Sequence, residues 1–344
     1  MNGKEQRKDK RVRFAIVGCG IIAAAHLKGI AEAEEAELAA VCDMSEERAK
    51  ELAEEYGVSY YTDYDEMLAR ADIDVVCVCT PSSLHPEQTM KAAMAGKHIV
   101  CEKPLAIDME ALDEMLDTCQ DQGVKLAAIF PRRMSAAARF VKSLIDEGRL
   151  GRLSLCSGHI KFYRDQAYYD SAGWRGTWSM DGGGAMMNQG IHTIDLLQWL
   201  AGPVETLTGY ARPVLRNIEV EDTAVVSLQF SSGALGVIEA TTTAYEQPSH
   251  RICLHGEKGT VILTGDEISS LDLIDESVEI PVFQDEYLGH VIQIRDMAQA
   301  VLEDREPAIT GMDARHSLEI IMGTYVSSRS REEYRLKPVA VSQL

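Results

Sequence analysis

Three polar side chains, Asn188, His192 and Asp195, stand in segment 181–200, DGGGAMMNQGIHTIDLLQWL, whose other residues are mostly glycine or large and apolar. At 100° per residue they fall within about a sixth of a helix circumference. Met187, Ile191, Ile194, Leu197 and Leu200 cover most of the remaining surface. A helix buried nearly all round, with one narrow polar stripe, either closes a core network or faces a ligand. A second constellation lies near the N-terminus. GCGIIA places Gly18, Gly20 and Ala23 between an apolar run and a helix-forming run, and Asp43 closes the next apolar run, AELAAVCD. Gly18 permits a tight turn, Gly20 lets the backbone approach a pyrophosphate, and a small residue at 23 allows close helix–strand packing.

Those residues need a parallel sheet to hold them. VRFAIVGCG, AELAAVCD, SYYTD, DVVCVCTP and HIVCEKP read as strands, separated or followed by helical runs such as MSEERAKELAEEYG and DMEALDEMLDTCQDQG. Alternation of this kind predicts a doubly wound sheet with ligands at the carboxyl ends of its strands. In that frame the glycine loop binds a dinucleotide, with Ile21 and Ile22 in the loop as part of the cofactor set. Asp43 accepts hydrogen bonds from an adenosine ribose and repels a 2′-phosphate, which favours NAD over NADP. TPSSLH (80–85) and CEKP (101–104) fall at the same edge, adding Thr80, Pro81, His85, Glu102 and Lys103. A lysine beside a positively charged nicotinamide has its pKa lowered towards use in proton transfer.

Composition narrows the function classes. A chain of 344 residues suggests two domains. The formal net charge of −20 argues against nucleic acid and anionic membrane surfaces as partners. Eight cysteines occur without a CxxC pair or the spacing of a zinc site, so no metal is expected and most read as small buried hydrophobes of a reducing compartment. The charged start MNGKEQRKDKRVR is unlike a signal peptide, and no apolar run approaches a membrane span. The expectation is a soluble, cytoplasmic protein.

With GxGxxA, TPxxxH, EKP and GGG…NxxxHxxD in this order, the chain resembles the Gfo/Idh/MocA oxidoreductases from Val12 to about Ser330. The resemblance implies an α/β fold, with a Rossmann NAD-binding domain (1–124) and a C-terminal α/β domain (125–344) built on an open, largely antiparallel sheet. It implies that the helix with the glycine run lies beneath the substrate and that His192 works with Lys103. The position of Asn188 is often Asp in the family, although some sugar-nucleotide dehydrogenases share the Asn. An amide cannot take a proton, so Asn188 is expected to position a hydroxyl in the catalytic set. Asp195, Tyr163 and Arg132 are expected to contact substrate, and Trp174 and Arg175 to reach the nicotinamide end of the cofactor; Tyr245 and His250 are further pocket candidates. The reaction implied is NAD-dependent hydride transfer at a secondary hydroxyl of a sugar, sugar derivative or cyclic polyol. The alternatives are an NAD-dependent glycosidase on the same fold and a non-catalytic NAD-sensing regulator. Val225, Val226, Leu228 and Phe230 give the second sheet more apolar positions than a face in water should carry, which predicts a homodimer or homotetramer.

Overall fold

The structure, a computed structural model, describes residues 11–245, 249–274, 277–283 and 288–338, so the charged segment 1–10 lies outside it. The chain forms two compact units, Met1–Pro131 with Leu288–Arg315, and Arg132–Tyr287 with His316–Leu344.

In the first unit six strands form a parallel sheet of order β3-β2-β1-β4-β5-β6. They are β1 (Val12–Val17), β2 (Ala36–Cys42), β3 (Ser59–Tyr61), β4 (Val75–Val78), β5 (His98–Cys101) and β6 (Leu126–Ala128). The accompanying helices are α1 (Ala23–Glu32), α2 (Glu46–Tyr56), α3 (Tyr64–Leu68), α4 (His85–Met94) and α5 (Met109–Asp121). Local chemistry sets their ends. Ser45 caps α2 through the Arg48 amide, Glu46 and Glu47 sit in its first turn, and Gly57 ends it in the left-handed region. β4 is buried throughout and β1 everywhere but Arg13, which is why both read as apolar runs. Burying each Val, Ile or Phe of such strands contributes about 1.5–3 kcal/mol.

The expected boundary at 124/125 moves for two reasons. β6 completes the parallel sheet, so the first unit continues to Pro131. Helix Gly289–Glu303 also returns to it, burying Ile294, Met297 and Ala298 in the core of β1 and α1. A Cβ on Gly29 of α1 would meet Ile294 at 2.8 Å, so glycine there lets the two helices close. Periodicity identifies that late helix but not the sheet it joins.

The second unit carries a mixed sheet of order β13-β12-β11-β7-β10-β9-β8-β14. Its strands are β7 (Leu153–Lys161), β8 (Val204–Arg212), β9 (Thr223–Phe230), β10 (Leu235–Thr241), β11 (His250–Gly256), β12 (Gly259–Thr264), β13 (Glu267–Leu273) and β14 (Tyr334–Arg335). All described pairings are antiparallel except β7 with β10. Helices α6 (Ala136–Asp146), α7 (Gln166–Asp170) and α8 (Ile191–Ala201) belong to this unit. The late helix just described is α9, and α10 (Gly311–Ser330) ends the helical series.

Along β9 burial alternates, which corrects one expectation. Val226, Leu228 and Phe230 point into the core, and of the four apolar residues named only Val225 lies on the exposed face. Tyr210, Leu235 and Leu155 are also exposed, beside Ser227, Gln229 and Glu239. The exposed face is therefore mixed rather than continuously apolar. All eight cysteines are free, and all but Cys19 are buried. Among the described residues no helix is long and apolar enough to cross a membrane.

Candidate active site

The expected dinucleotide loop rests on one close approach, one open position and one carboxylate tie. Gly18 has φ +94°, and a Cβ there would press on the Cys79 carbonyl and Thr80 amide at 2.7–2.8 Å, so the turn admits only glycine. Gly20 faces open space, the room a pyrophosphate needs at the start of α1. Asp43 ends β2 and ties the loop down. Its Oδ2 accepts from the Cys19 amide at 2.8 Å, and its Oδ1 from the Ser45 amide at 2.8 Å and Arg48 Nη2 at 2.9 Å. Burial pushes this carboxyl up, but the Ser45 and Cys19 amides and the Arg48 guanidinium outweigh it and hold the pKa below its ordinary value. Ile21 is 99% exposed and Met44 89%, two large apolar side chains beside the loop and the carboxylate. Open room at Gly20, an ionised Asp43 and an uncovered apolar surface fit an adenine dinucleotide. Ile22 packs its side chain against the core, so what it offers the loop is its backbone.

If Asp43 accepts from the ribose, Asp43→Ala removes that acceptor and loosens the loop, so we expect about 10–100-fold weaker NADH binding and a smaller NAD/NADP affinity ratio. Fluorescence titration of both cofactors checks this, and a variant with the wild-type ratio would refute the role given to Asp43.

Two residues at the neighbouring strand ends turn inward, correcting their assignment as cofactor contacts. His85 is buried, with Nδ1 2.7 Å from the Pro104 carbonyl and Nε2 2.8 Å from the Thr80 carbonyl. It joins the loop after β4 to the loop after β5 that carries Lys103, and it can donate to both carbonyls only when protonated. Burial lowers its pKa, a trend the two carbonyls oppose. Glu102 is buried too. Its Oε1 lies 2.9 Å from His26 Nε2 and 3.1 Å from His290 Nε2, and its Oε2 accepts from the Lys103 amide at 3.2 Å. Burial opposes its charge, yet the bonds to His26 and His290 hold the carboxyl well below its usual range. An ionised carboxylate only accepts, so both imidazoles donate Nε2–H. The three ligating atoms lie within 4.8 Å of one another, a spacing a metal could also use. A metal-bound imidazole normally donates its second N–H, however, and His26 Nδ1 has no hydrogen-bond partner. The trio is complete as hydrogen bonds, and it fixes the backbone from which Lys103 projects, itself half-buried. Thr80 is half-buried and Pro81 exposed at this edge.

In the second unit two of the three glycines of the opening segment, Gly183 and Gly184, serve packing. A Cβ on Gly184 would run into the Glu221 carbonyl, and one on Gly183 into the Tyr325 hydroxyl. Glu221 accepts from the Gly184 and Met186 amides and from the Tyr325 hydroxyl, each at 2.9 Å. Burial pushes its carboxyl up to about 7 despite these three donors. The chain then forms a π-helical turn, Ala185–Gly190, before α8 begins. This wider turn replaces the continuous α-helix that sequence periodicity predicts.

The polar stripe divides in two. From Ala185 to Ala201 only Asn188, Gln189, His192 and Trp199 escape full burial. The face of α8 near Thr193 and Leu197 packs on β7 at Gly158. Asp195, 1% exposed, does not share the outer sector. Its Oδ1 and Oδ2 take Arg133 Nη2 and Nε at 2.7 and 2.8 Å, and Ser317 Oγ donates to Oδ1 at 2.8 Å. Its expected substrate contact is therefore corrected: Asp195 anchors α8 internally through a bidentate charge pair. Of the two arginines in FPRR, the structure gives that task to Arg133. Arg132 lies instead 3.9 Å from Asp266, with His250 near the same carboxylate. Burial and the Arg132 charge push the His250 pKa down to about 3.

Tyr163, Trp174 and Arg175 fall in one aromatic and cationic cluster. Tyr163 stacks on Tyr245 at 3.9 Å, and the Arg175 guanidinium lies over Tyr168 and Trp174 at 4.4 and 4.6 Å. Arg133, Glu221, Tyr325, His26 and His290 escaped the sequence reading. The only signal was a charged or polar residue amid apolar neighbours, which does not name its partner.

A family model described as an oxidoreductase family with an NAD-binding Rossmann fold matches residues 12–130. The GFO/IDH/MocA C-terminal domain model matches residues 138–262. The chain is 34% identical to the WlbA dehydrogenase of Bordetella pertussis, solved with NADH and UDP-GlcNAcA, with TM-score 0.87 over 96% of this chain and 99% of that one. It is 36% identical to the WlbA dehydrogenase of Chromobacterium violaceum, solved with the same ligands, with TM-score 0.87 over 97% and 98%. A myo-inositol 2-dehydrogenase of Thermotoga maritima is 27% identical over 94% of this chain and 97% of its own length.

Proposed function

The chain belongs to the Gfo/Idh/MocA family of oxidoreductases, and from that premise we propose that it moves hydride between NAD and a secondary ring hydroxyl of a sugar or sugar derivative. The observation carrying the proposal is the outer sector of the π-turn and α8. The fold buries nearly every other residue there and leaves Asn188 and His192 outside the core. The nicotinamide, when bound, supplies the hydride acceptor or donor. The rest falls to the chain. His192 and Lys103 take or return the hydroxyl proton, and Asn188 holds a hydroxyl through its amide. The glycine loop and Asp43 retain the cofactor. His85 and the Glu102 trio keep the Lys103 backbone in place.

The test is NADH formation, followed by nicotinamide absorbance, over inositols, neutral sugars, UDP-sugars and UDP-sugar acids, with the matching ketones in reverse. Turnover of at least one ring alcohol is the expected result. Release of a free leaving group without net NADH would establish the glycosidase instead. Silence in every arm from protein that binds NADH would leave the regulatory reading.

A further inference from the structure

Three guanidiniums crowd one region of the second unit. Arg164 lies over Tyr168 at 5.0 Å and Arg175 over the same ring at 4.4 Å, while Arg216 lies over Tyr163 at 5.5 Å. Arg216 Nε donates to the Arg164 carbonyl at 2.7 Å, joining the group together. Among the described residues none of the three has an ion pair, although the protein carries a net charge of −20. The acids nearby are engaged otherwise. Asp222 accepts from the amides of Val214, Leu215 and Arg216, Asp181 from Gly176, Asp165 from Tyr168 and Glu219 from Trp178. Arg164 Nε and Arg175 Nε are buried with no hydrogen-bond partner. Each guanidinium has five N–H donors, and the described bonds use few of them. Like charges held together without a counter-ion repel, and stacking on aromatic rings offsets only part of that.

Such a cluster is arranged for an anion. Exposed ring surface adjoins it, since Tyr245 is 83% exposed and Trp174 42%. The cluster also touches the proposed substrate helix, because Arg164 Nη2 donates to Gln189 Oε1 at 3.2 Å, next to Asn188. We infer that Arg164, Arg175 and Arg216 form a subsite for the diphosphate of a nucleoside-diphosphate sugar, whose base extends over the neighbouring aromatic rings. Guanidiniums suit this role because their planar forks pair with phosphate oxygens. The pyrophosphate of the cofactor is proposed to sit at Gly18 and Gly20, and the substrate is taken as the source of this anion; titrating protein already loaded with NADH tells the two sources apart. The inference rests on the reading of the outer sector as a substrate site and narrows its substrate class.

The experiment is calorimetric titration of the NADH-loaded protein with UDP, UDP-glucuronate and myo-inositol. Arg164→Ala and Arg216→Ala are expected to weaken UDP and UDP-glucuronate about 10–100-fold and to leave NADH affinity within about twofold. Arg164→Lys, which keeps the charge, should restore part of the loss and serves as a folding control beside circular dichroism. Wild-type binding of UDP should weaken with added salt. Equal UDP binding by wild type and variants overturns the subsite, as does a loss confined to NADH. Arginine-dependent UDP binding in a protein that turns over no sugar would uphold the subsite while sinking the oxidoreductase reaction proposed above.

Discussion

Lys103→Ala and His192→Ala should each lower turnover by about 10²–10⁴-fold, the usual contribution of a positioned proton-transfer group. NADH affinity should change little, because the place proposed for the pyrophosphate lies at Gly18, Gly20 and the Asp43 tie rather than at either residue. Folding should survive as well. Both side chains are only half-buried, and the backbone of each is held by other groups, the Glu102 trio before Lys103 and the Glu221 cap before α8. Asn188→Ala should act differently, raising KM more than it lowers kcat, since an amide positions a hydroxyl without accepting its proton. Turnover, NADH affinity and melting temperature measured on the same three proteins separate the cases. A large fall in melting temperature for His192→Ala, with full activity in the folded fraction, would make His192 structural.

Asp195→Ala should do the reverse, with stability as the main loss. The substitution leaves the Arg133 guanidinium, 3% exposed, without its bidentate carboxylate, and it takes the acceptor from Ser317. Breaking a buried pair on one side costs about 3–5 kcal/mol, because the remaining charge is neither solvated nor compensated. In a chain of this size that corresponds to a fall in melting temperature on the order of 10 °C. Replacing both partners, Arg133→Met with Asp195→Leu, should recover most of the loss, since two apolar side chains leave no charge behind. A scanning-calorimetry comparison of the single and double variants decides the point. If Asp195→Ala melts like wild type yet loses turnover, the carboxylate belongs to the substrate after all and the anchoring role is wrong.

Asp195 also shows where reading the sequence stopped. Helical spacing placed 188, 192 and 195 on one stripe, and that geometry assumed a regular α-helix. The structure begins the segment with a π-helical turn and sets the last residue of the stripe inside the core. No local pattern announces either feature. Arg133 lies 62 residues from Asp195 and Glu221 lies 37 from Gly184, and neither pairing leaves a periodic mark. His85 and Glu102 were rightly placed at the edge of the sheet, yet their side chains turn inward towards Pro104, Thr80, His26 and His290.

What the sequence determined by itself was whatever depends on neighbours a few residues away. Strands alternating with helices made the parallel sheet, GCGIIA before α1 made the tight glycine turn proposed to hold the dinucleotide, and Asp43 at the end of β2 placed the carboxylate proposed for its ribose. Each rests on backbone sterics, capping or a short periodicity, which are local and carry over from one fold to another. Tertiary structure alone decided which polar groups face outward and which are consumed within. It sent α9 back to the first sheet, gave Asp195 to Arg133 and Glu102 to two histidines, and left Arg164, Arg175 and Arg216 without a described carboxylate partner. The physical reason is that a buried charge is tolerable only beside its partner, and partners brought together by folding stand far apart in the chain: 188 residues separate Glu102 from His290.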